Sequence, residues 1–213
     1  LYQGNGEFKK GIKLFKTELK KDKFDVEILN NLMVLYRLNG DYREAETTCT
    51  QILSRDPGNA AALKNLSLIY YDQKKFALSE TIAINSLKKD DKDAALYNNR
   101  GMIRVQRGRY VEAMPFFRKA VELDPNLLSA HLNIGAIALR YRDYETAEKH
   151  FGQAVKLSPR HAEGNLGYGL ALSGMQKAQD ALAQLTRAIE IKDSCSAQSE
   201  TARVYKYQLN KLK

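Results

Sequence analysis

A period of 34 residues constrains the fold of this chain more than any other feature of its sequence. Aromatic residues recur at this interval, at Phe8, Tyr42, Phe76, Tyr110 and Tyr144. Small residues recur at the same interval, at Ala45, Ser79, Ala113, Ala147 and Ala181. Since self-similarity at a period of roughly 20–50 residues is the signature of stacked repeat units, the period predicts an elongated stack rather than one compact globule.

The segment 94–127 shows what one unit contains. Apolar residues recur at helical spacing before and after Gly108, which indicates two amphipathic helices joined by a tight turn. Asp124 and Pro125 end the second helix, because a residue before proline is driven out of helical geometry. With 44% apolar and 28% charged residues, the composition is typical of a folded chain. The sequence therefore predicts an all-α fold.

The repeat boundaries follow from the period. We expect a half-unit at 1–25, full units at 26–59, 60–93, 94–127, 128–161 and 162–195, and a capping helix at 196–213, together forming a single domain 1–213. The residues before Phe8 match a turn within a unit, so we expect the first helix of that unit to precede Leu1. The sequence has no run of about 18 apolar residues and predicts no membrane-spanning helix.

The unit 162–195 departs most from the pattern. Ala178 replaces the aromatic residue, and four glycines fall within its first helix, at Gly164, Gly167, Gly169 and Gly174. Each glycine is expected to weaken the helix by up to about 1 kcal/mol relative to alanine.

These recurring slots resemble those of the tetratricopeptide repeat (TPR) family over about residues 4–195. The resemblance implies an α-solenoid, a right-handed superhelix of antiparallel helix pairs, whose first helices line a concave groove that binds peptides or partner proteins. Lys74 and Arg142 depart from the pattern, since they stand where Gly40 and Gly108 occupy the turn in other units.

The segments 30–46 and 132–148 are similar, more narrowly, to envelope TPR lipoproteins of bacterial gliding and pilus machinery. It implies an alternative function, a bacterial cell-envelope assembly factor in motility that acts through the outer surface of the stack. The sequence leaves periplasm or cell envelope and cytoplasm both open, and it predicts neither the partner nor the oligomeric state.

One polar series stands out on the first helices. Asparagine occupies the sixth position of four successive units, at Asn31, Asn65, Asn99 and Asn133, and the series stops at Gly167. An amide side chain donates and accepts hydrogen bonds at once, so it can pair with a peptide backbone whatever the peptide sequence. The row, here called the asparagine series, resembles the asparagine ladder of O-GlcNAc transferase.

The neighbouring positions predict the rest of a peptide-binding site. Beside the asparagine series we expect contacts from Lys64, Asn98, Met102, Leu132, Ala136 and Leu166. Lys64 and Asn98 are polar at the position where the later units have Leu132 and Leu166, whereas the position of Met102 and Ala136 is apolar in every unit. The apolar anchor of the ligand is therefore expected near Leu132, Ala136 and Leu166. Replacing Asn99 and Asn133 by alanine is expected to weaken binding about tenfold without unfolding the protein.

Other kinds of site find little support in the sequence. Only Lys64 and Asn99 match the clamp of chaperone-binding TPR domains. The three histidines are too far apart in sequence to share one helix face, no nucleophile and base are paired by spacing, and no phosphate-binding loop follows a strand. We therefore expect no metal, no cofactor and no enzymatic activity.

The net charge of +9 raises the question of nucleic acid. No predicted unit carries more than +3, whereas a nucleic-acid footprint needs basic residues clustered on one face. Nucleic acid is therefore not the expected partner. The lysine-rich stretch 9–23 leaves contact with an anionic membrane surface open. Otherwise a membrane is expected to be reached only through an anchor preceding Leu1.

Two further expectations concern single residues. Cys49 occupies a packing position and is expected to act as a small buried hydrophobe, too far from Cys195 for a disulfide. Arg100, Arg104 and Arg107 lie along one side of a helix, partly in positions that are apolar in other units. At least one of them is expected to pair with a carboxylate from a neighbouring helix, because a buried arginine needs a partner.

Overall fold

The structure, a computed structural model, describes residues 7–89 and 91–193. These residues form eleven α-helices and confirm the predicted all-α fold. The helices are α1 Phe8–Glu18, α2 Val26–Asn39, α3 Tyr42–Arg55, α4 Ala60–Asp72, α5 Phe76–Leu87, α6 Ala94–Gln106, α7 Tyr110–Leu123, α8 Leu128–Arg140, α9 Tyr144–Leu157, α10 Ala162–Gly174 and α11 Ala178–Asp193. No helix of the described ranges has both the length and the apolar content that crossing a bilayer requires.

The helix starts follow the 34-residue period. The first helices of the five full units, α2, α4, α6, α8 and α10, begin at the residues where the units were predicted to begin. The second helices α3, α5, α7 and α9 begin at the periodic aromatic residues. Side chains cap several first helices: Asp25, Asn59 and Asp93 each accept a hydrogen bond at 3.0 Å from the backbone N–H three residues later.

By their contacts, the described residues form two compact parts, each containing several repeat units, and the boundary lies between Ile103 and Arg104, inside α6. In the first, α2 packs against α3 and α4 against α5, around a core that includes Leu29, Met33 and Ile69. In the second, α8 packs against α9 and α10 against both α9 and α11, with Phe117, Phe151 and Leu185 buried. The single domain predicted for 1–213 stays a prediction, and the predicted capping helix at 196–213 lies outside the described residues.

The periodic small residues lie in the interior of the helix packing. All five are completely buried, at 0% exposure: Ala45, Ser79, Ala113, Ala147 and Ala181. A Cβ atom added to Gly169 of α10 would lie 3.2 Å from the backbone oxygen of Ala181 in α11. The backbones of this pair therefore approach so closely that only the smallest side chains fit between them.

The turn inside each full unit has one geometry, whatever its sequence. Its central residue has a positive φ between 60° and 85° in every unit, at Gly40, Lys74, Gly108, Arg142 and Gln176. The backbone N–H of the next residue donates to the carbonyl five residues earlier at 2.8–2.9 Å, the bond of a Schellman cap. Lys74 and Arg142 thus adopt the turn of Gly40 and Gly108, although a left-handed conformation is unfavourable for residues with a Cβ atom.

Some glycines of α10 are required by packing, which could not be predicted from helix propensity. A Cβ atom at Gly167 would lie 2.3 Å from the ring of Phe151, and one at Gly174 would lie 2.3 Å from the ring of Tyr144. At Gly164 the nearest atoms would be 3.6 Å away, which is ordinary van der Waals contact. Gly167 and Gly174 therefore make room for aromatic rings of α9, whereas Gly164 fills no such role.

Replacing the three non-glycine turn residues by glycine tests the strain at these turns. The variant Lys74→Gly/Arg142→Gly/Gln176→Gly should be more stable by about 0.5–1 kcal/mol for each site, because the relief of left-handed strain exceeds the added entropy of the unfolded chain. Urea denaturation measures the change. Gly40→Ala/Gly108→Ala is the matched control and should lower stability, and a triple variant no more stable than the parent would contradict the strain.

Two alanine substitutions in one helix separate packing from helix propensity. Gly167→Ala should destabilise the protein by about 1–3 kcal/mol, because its methyl group meets the Phe151 ring. Gly164→Ala should stabilise it by up to about 1 kcal/mol, because only propensity changes there. Thermal unfolding followed by circular dichroism compares the two variants. Higher stability in both variants would show that Phe151 moves aside without cost, and lower stability in both would show that Gly164 is also needed for packing.

Candidate functional site

The asparagine series does not share one environment. Asn31 on α2, Asn65 on α4 and Asn133 on α8 are half-buried and keep part of their side chains accessible. Asn99 on α6 is completely buried, at 0% exposure. Three of the four predicted contacts therefore present surface to a ligand, whereas an Asn99 contact would need this amide to leave the interior.

Asn99 is held by two serines. Its Nδ2 donates to Ser67 Oγ at 2.6 Å and to Ser79 Oγ at 3.1 Å. Each serine hydroxyl also donates to the other's backbone carbonyl, at 2.9 and 2.7 Å, and both serines are 0% exposed. Removing the amide would leave these hydroxyls without their donor, and an unsatisfied buried group costs about 1–3 kcal/mol. We therefore expect alanine at Asn99 to lower stability by this amount, a cost that the expectation of a folded Asn99→Ala/Asn133→Ala variant did not include.

Two cations of the first helices are already paired with carboxylates. Arg37 Nη1 lies 2.7 Å from Asp72 Oδ2, which joins α2 to α4. Lys64, a predicted ligand contact, lies 3.4 Å from Asp93, the capping residue of α6. The charge on this part of the first-helix surface is thereby largely cancelled, and what remains for a ligand is polar but close to neutral.

Two more predicted contacts lie on α6. Asn98 is nearly buried, at 6% exposure, and its Nδ2 lies 3.4 Å from the sulfur of Met102. Met102 is half-buried. Asn98 therefore supports the position of Met102, and of these two residues Met102 offers a ligand the larger surface.

The three predicted apolar contacts lie on α8 and α10. Leu132 packs against the cluster around Phe151, and Leu166 packs against Ala188 and Ile189 of α11, so both are half-buried. Ala136 is exposed, one turn along α8 from Leu132. The leucines thus combine a structural contact with an accessible edge, which suits a shallow apolar surface.

The prediction about the arginines of α6 is confirmed. Arg104 Nε lies 3.6 Å from Glu112 Oε2 on α7, and the Arg104 side chain is only 16% exposed. Its guanidinium also lies 5.7 Å from the ring centre of Phe116. Arg109 shares the same carboxylate at 3.6 Å. The pair is therefore part of the α6–α7 turn rather than a ligand site.

Cys49 behaves as expected of a buried hydrophobe. It is 0% exposed, and burial, aided by the charge of Glu46, raises the pKa of its thiol to about 12. A thiolate is the reactive form, so this cysteine is chemically inert at neutral pH. Cys195 lies outside the described residues.

Two histidines that lie 19 residues apart in the sequence are in contact in the structure. His131 on α8 and His150 on α9 meet with their Nδ1 atoms 3.0 Å apart, and His131 is 6% exposed. They line a cavity of about 530 Å³, together with residues of α9 such as Lys149 and Lys156 and with Tyr168 of α10. The signal was missed because the two residues lie on different helices of one unit, which a single-helix pattern cannot relate. In the described residues, no three histidine, cysteine or acidic side chains are grouped as a metal site would require.

Comparison with known proteins agrees with this architecture. Models of the tetratricopeptide repeat match residues 94–127, residues 36–100, and residues 1–60 with 132–194. Among solved structures, YrrB, described as a TPR protein with an unusual peptide-binding site, is 19% identical, with a TM-score of 0.58 over 92% of this chain and 98% of its own. MamA is 18% identical, with a TM-score of 0.61 over 78% of this chain and 98% of its own.

No curated protein sequence matches the chain significantly. The structural likenesses are below 25% identity and therefore concern the fold. The family assignment comes from the sequence models, one of which matches more than half of the residues. The chain belongs to the tetratricopeptide repeat family.

Proposed function

We propose that this protein is a non-enzymatic scaffold that binds an extended peptide segment of a partner protein along its first helices. The TPR fold is consistent with a protein–protein interaction scaffold. The observation that carries the proposal is the accessible surface of Asn31, Asn65 and Asn133, which occupy the same position of three first helices. Such amides can hydrogen-bond to a peptide backbone without reading its side chains.

The charges of the first-helix surface support a peptide over a nucleic acid. The Arg37–Asp72 and Lys64–Asp93 pairs neutralise cations that a phosphate backbone would need. The guanidinium of Arg140, at the end of α8, lies 4.2 Å from the ring centre of Tyr110, so this cation too already has a partner within the protein. A surface of amides and neutralised charges suits the dipoles of a peptide backbone better than a chain of phosphates.

The ligand should have apolar side chains at one end. On α8 and α10, Leu132, Ala136 and Leu166 offer accessible apolar surface, and buried apolar contacts usually supply most of the affinity while polar contacts fix the register. YrrB, which shares the fold, is described by its peptide-binding site, and this likeness is a second support. The envelope-assembly alternative stays a prediction, because no contact among residues 7–89 and 91–193 tests it.

A double substitution tests the role of the amides. Linear peptides selected from a random display library on the native protein serve as probes. Asn65→Ala/Asn133→Ala should weaken binding of the selected peptides about tenfold, since each amide contributes about 0.5–1.5 kcal/mol. Fluorescence anisotropy measures the affinity, and circular dichroism checks folding. Asn99 is left unchanged because its amide is part of the interior.

The matched control removes the same number of amides elsewhere. Asn85 on the second helix α5 and Asn126 in the turn before α8 are both exposed, and Asn85→Ala/Asn126→Ala should change affinity less than twofold. Equal affinities in the two folded double variants, or selection of no peptide at all, would mean that recognition does not use the asparagine series.

A further inference from the structure

The cavity beside the histidine pair shares no residue with the predicted peptide contacts. Its polar wall is formed by His131 of α8, by Lys149, His150 and Lys156 of α9, and by Tyr168 of α10, and Val121 of α7 adds apolar surface. Its volume of about 530 Å³ would hold a small organic molecule. Neither the fold nor the proposed peptide function requires such a space.

The hydrogen bonds fix which nitrogens of the pair carry protons. His131 Nε2 lies 3.0 Å from the carbonyl oxygen of Pro125, which can only accept, so His131 carries a proton on Nε2. In its neutral form, His131 Nδ1 is then an acceptor, and His150 must donate from Nδ1 across the 3.0 Å contact. The other nitrogen of His150, Nε2, is left with a lone pair, and the described residues supply it with no hydrogen-bond partner.

The charges around the pair are mostly positive. Lys149 and Lys156 line the cavity from α9, and Arg118 of α7 also acts on His150. The one carboxylate in the wall, Glu148, is bound to Lys177 Nζ at 2.8 Å and is largely neutralised by it. The cavity therefore carries a positive field that no group of its own wall cancels.

We propose that this cavity binds a small organic oxyanion, a carboxylate or phosphate group on an apolar body, and takes up one proton together with it. Lys149 and Lys156 attract the anion, and Val121, Pro125 and the Tyr168 ring contact the apolar body. An anion beside His150 needs a donor at Nε2, and the pair can supply one only by gaining a third proton. The three protons then lie on Nε2 of His131, between the two Nδ1 atoms, and on Nε2 of His150, and the Nε2–H of His150 donates to the anion.

Without a bound anion, the surroundings of His150 oppose this protonation. Burial, together with the charges of His131, Lys149 and Arg118 acting in the same direction, lowers the pKa of His150 to about 4. A bound anion cancels that field and raises the pKa again. By linkage, each unit by which the anion raises this pKa strengthens its own binding tenfold at a pH below both values.

The same pKa predicts a pH dependence of stability without any ligand. The unfolded chain binds a proton at His150 below about pH 6.5, whereas the folded protein does so only near pH 4. The contribution of neutral His150 to the free energy of unfolding is therefore fully present above about pH 6.5 and is lost as the pH falls towards 4. Between pH 7.5 and 5 the folding equilibrium constant should fall about 30-fold more in the parent than in His150→Gln. Urea denaturation at the two pH values measures the difference, and equal losses would contradict the depressed pKa.

Binding of benzoate, phenyl phosphate and uncharged benzamide tests the proposal directly. Long-range ¹H–¹⁵N NMR of the imidazoles follows His131 and His150, with His161, which does not line the cavity, as internal reference. Benzoate, ionised throughout, should bind at least tenfold more tightly at pH 5.5 than at pH 8, and it should shift both histidines of the pair. Benzamide should bind at least tenfold more weakly. The affinities of benzoate and phenyl phosphate are compared at pH 8, and the anion that binds more tightly shows whether the cavity prefers a carboxylate or a phosphate group.

Variants assign the effect to the cavity. Lys149→Gln/Lys156→Gln should weaken benzoate binding at least tenfold, whereas Lys88→Gln/Lys89→Gln, two exposed lysines outside the cavity, should leave it unchanged. His150→Gln should bind benzoate equally at both pH values. Benzamide binding as tightly as benzoate, a parent affinity independent of pH, or no shift of His131 and His150 in the folded protein would each overturn the proposal. Loss of peptide binding by the asparagine variants would not bear on it.

Discussion

The close approach of the two helices in each unit is the constraint on which the rest of the structure depends. The periodic small residues at this contact are wholly buried, and in the last unit Gly169 faces the backbone of Ala181 with no room for a side chain. A repeat unit of two closely packed helices has only a small core of its own and depends on contact with its neighbours. It also means that any polar atom at the contact must find its partner there.

That requirement explains why one asparagine of the series differs from the others. In the unit 60–93 the close contact is made by Ser67 and Ser79, where the last unit has Gly169 and Ala181. The serines bind each other's carbonyls, and Asn99 of the next first helix donates to both hydroxyls. Asn99 is therefore buried because it donates to two serines of the preceding unit, whereas the other three asparagines of the series keep accessible surface.

Much of the fold could be predicted from the sequence, because the period fixes where helices start and which residues face inward. The turns could be placed but not described. Lys74, Arg142 and Gln176 have no sequence property that favours a left-handed conformation, and the conformation comes from the Schellman bond that closes the helix pair. Burial of Asn99 was likewise invisible, since it depends on two serines 32 and 20 residues away. His131 and His150 lie on two different helices, α8 and α9, so a periodicity analysis of either helix alone cannot predict that they are in contact.

The distribution of charge, rather than the total of +9, separates the two candidate surfaces. On the first helices of residues 7–103, Arg37 and Lys64 are paired with Asp72 and Asp93, so the surface beside Asn31 and Asn65 is close to neutral, which suits the dipoles of the proposed peptide ligand. Around His150, Lys177 occupies the only wall carboxylate among the described residues, and Lys149 and Lys156 remain to attract an anion. The two proposed ligands therefore differ in chemistry: a neutral peptide backbone gains little from the positive cavity, and a small anion gains little from paired charges.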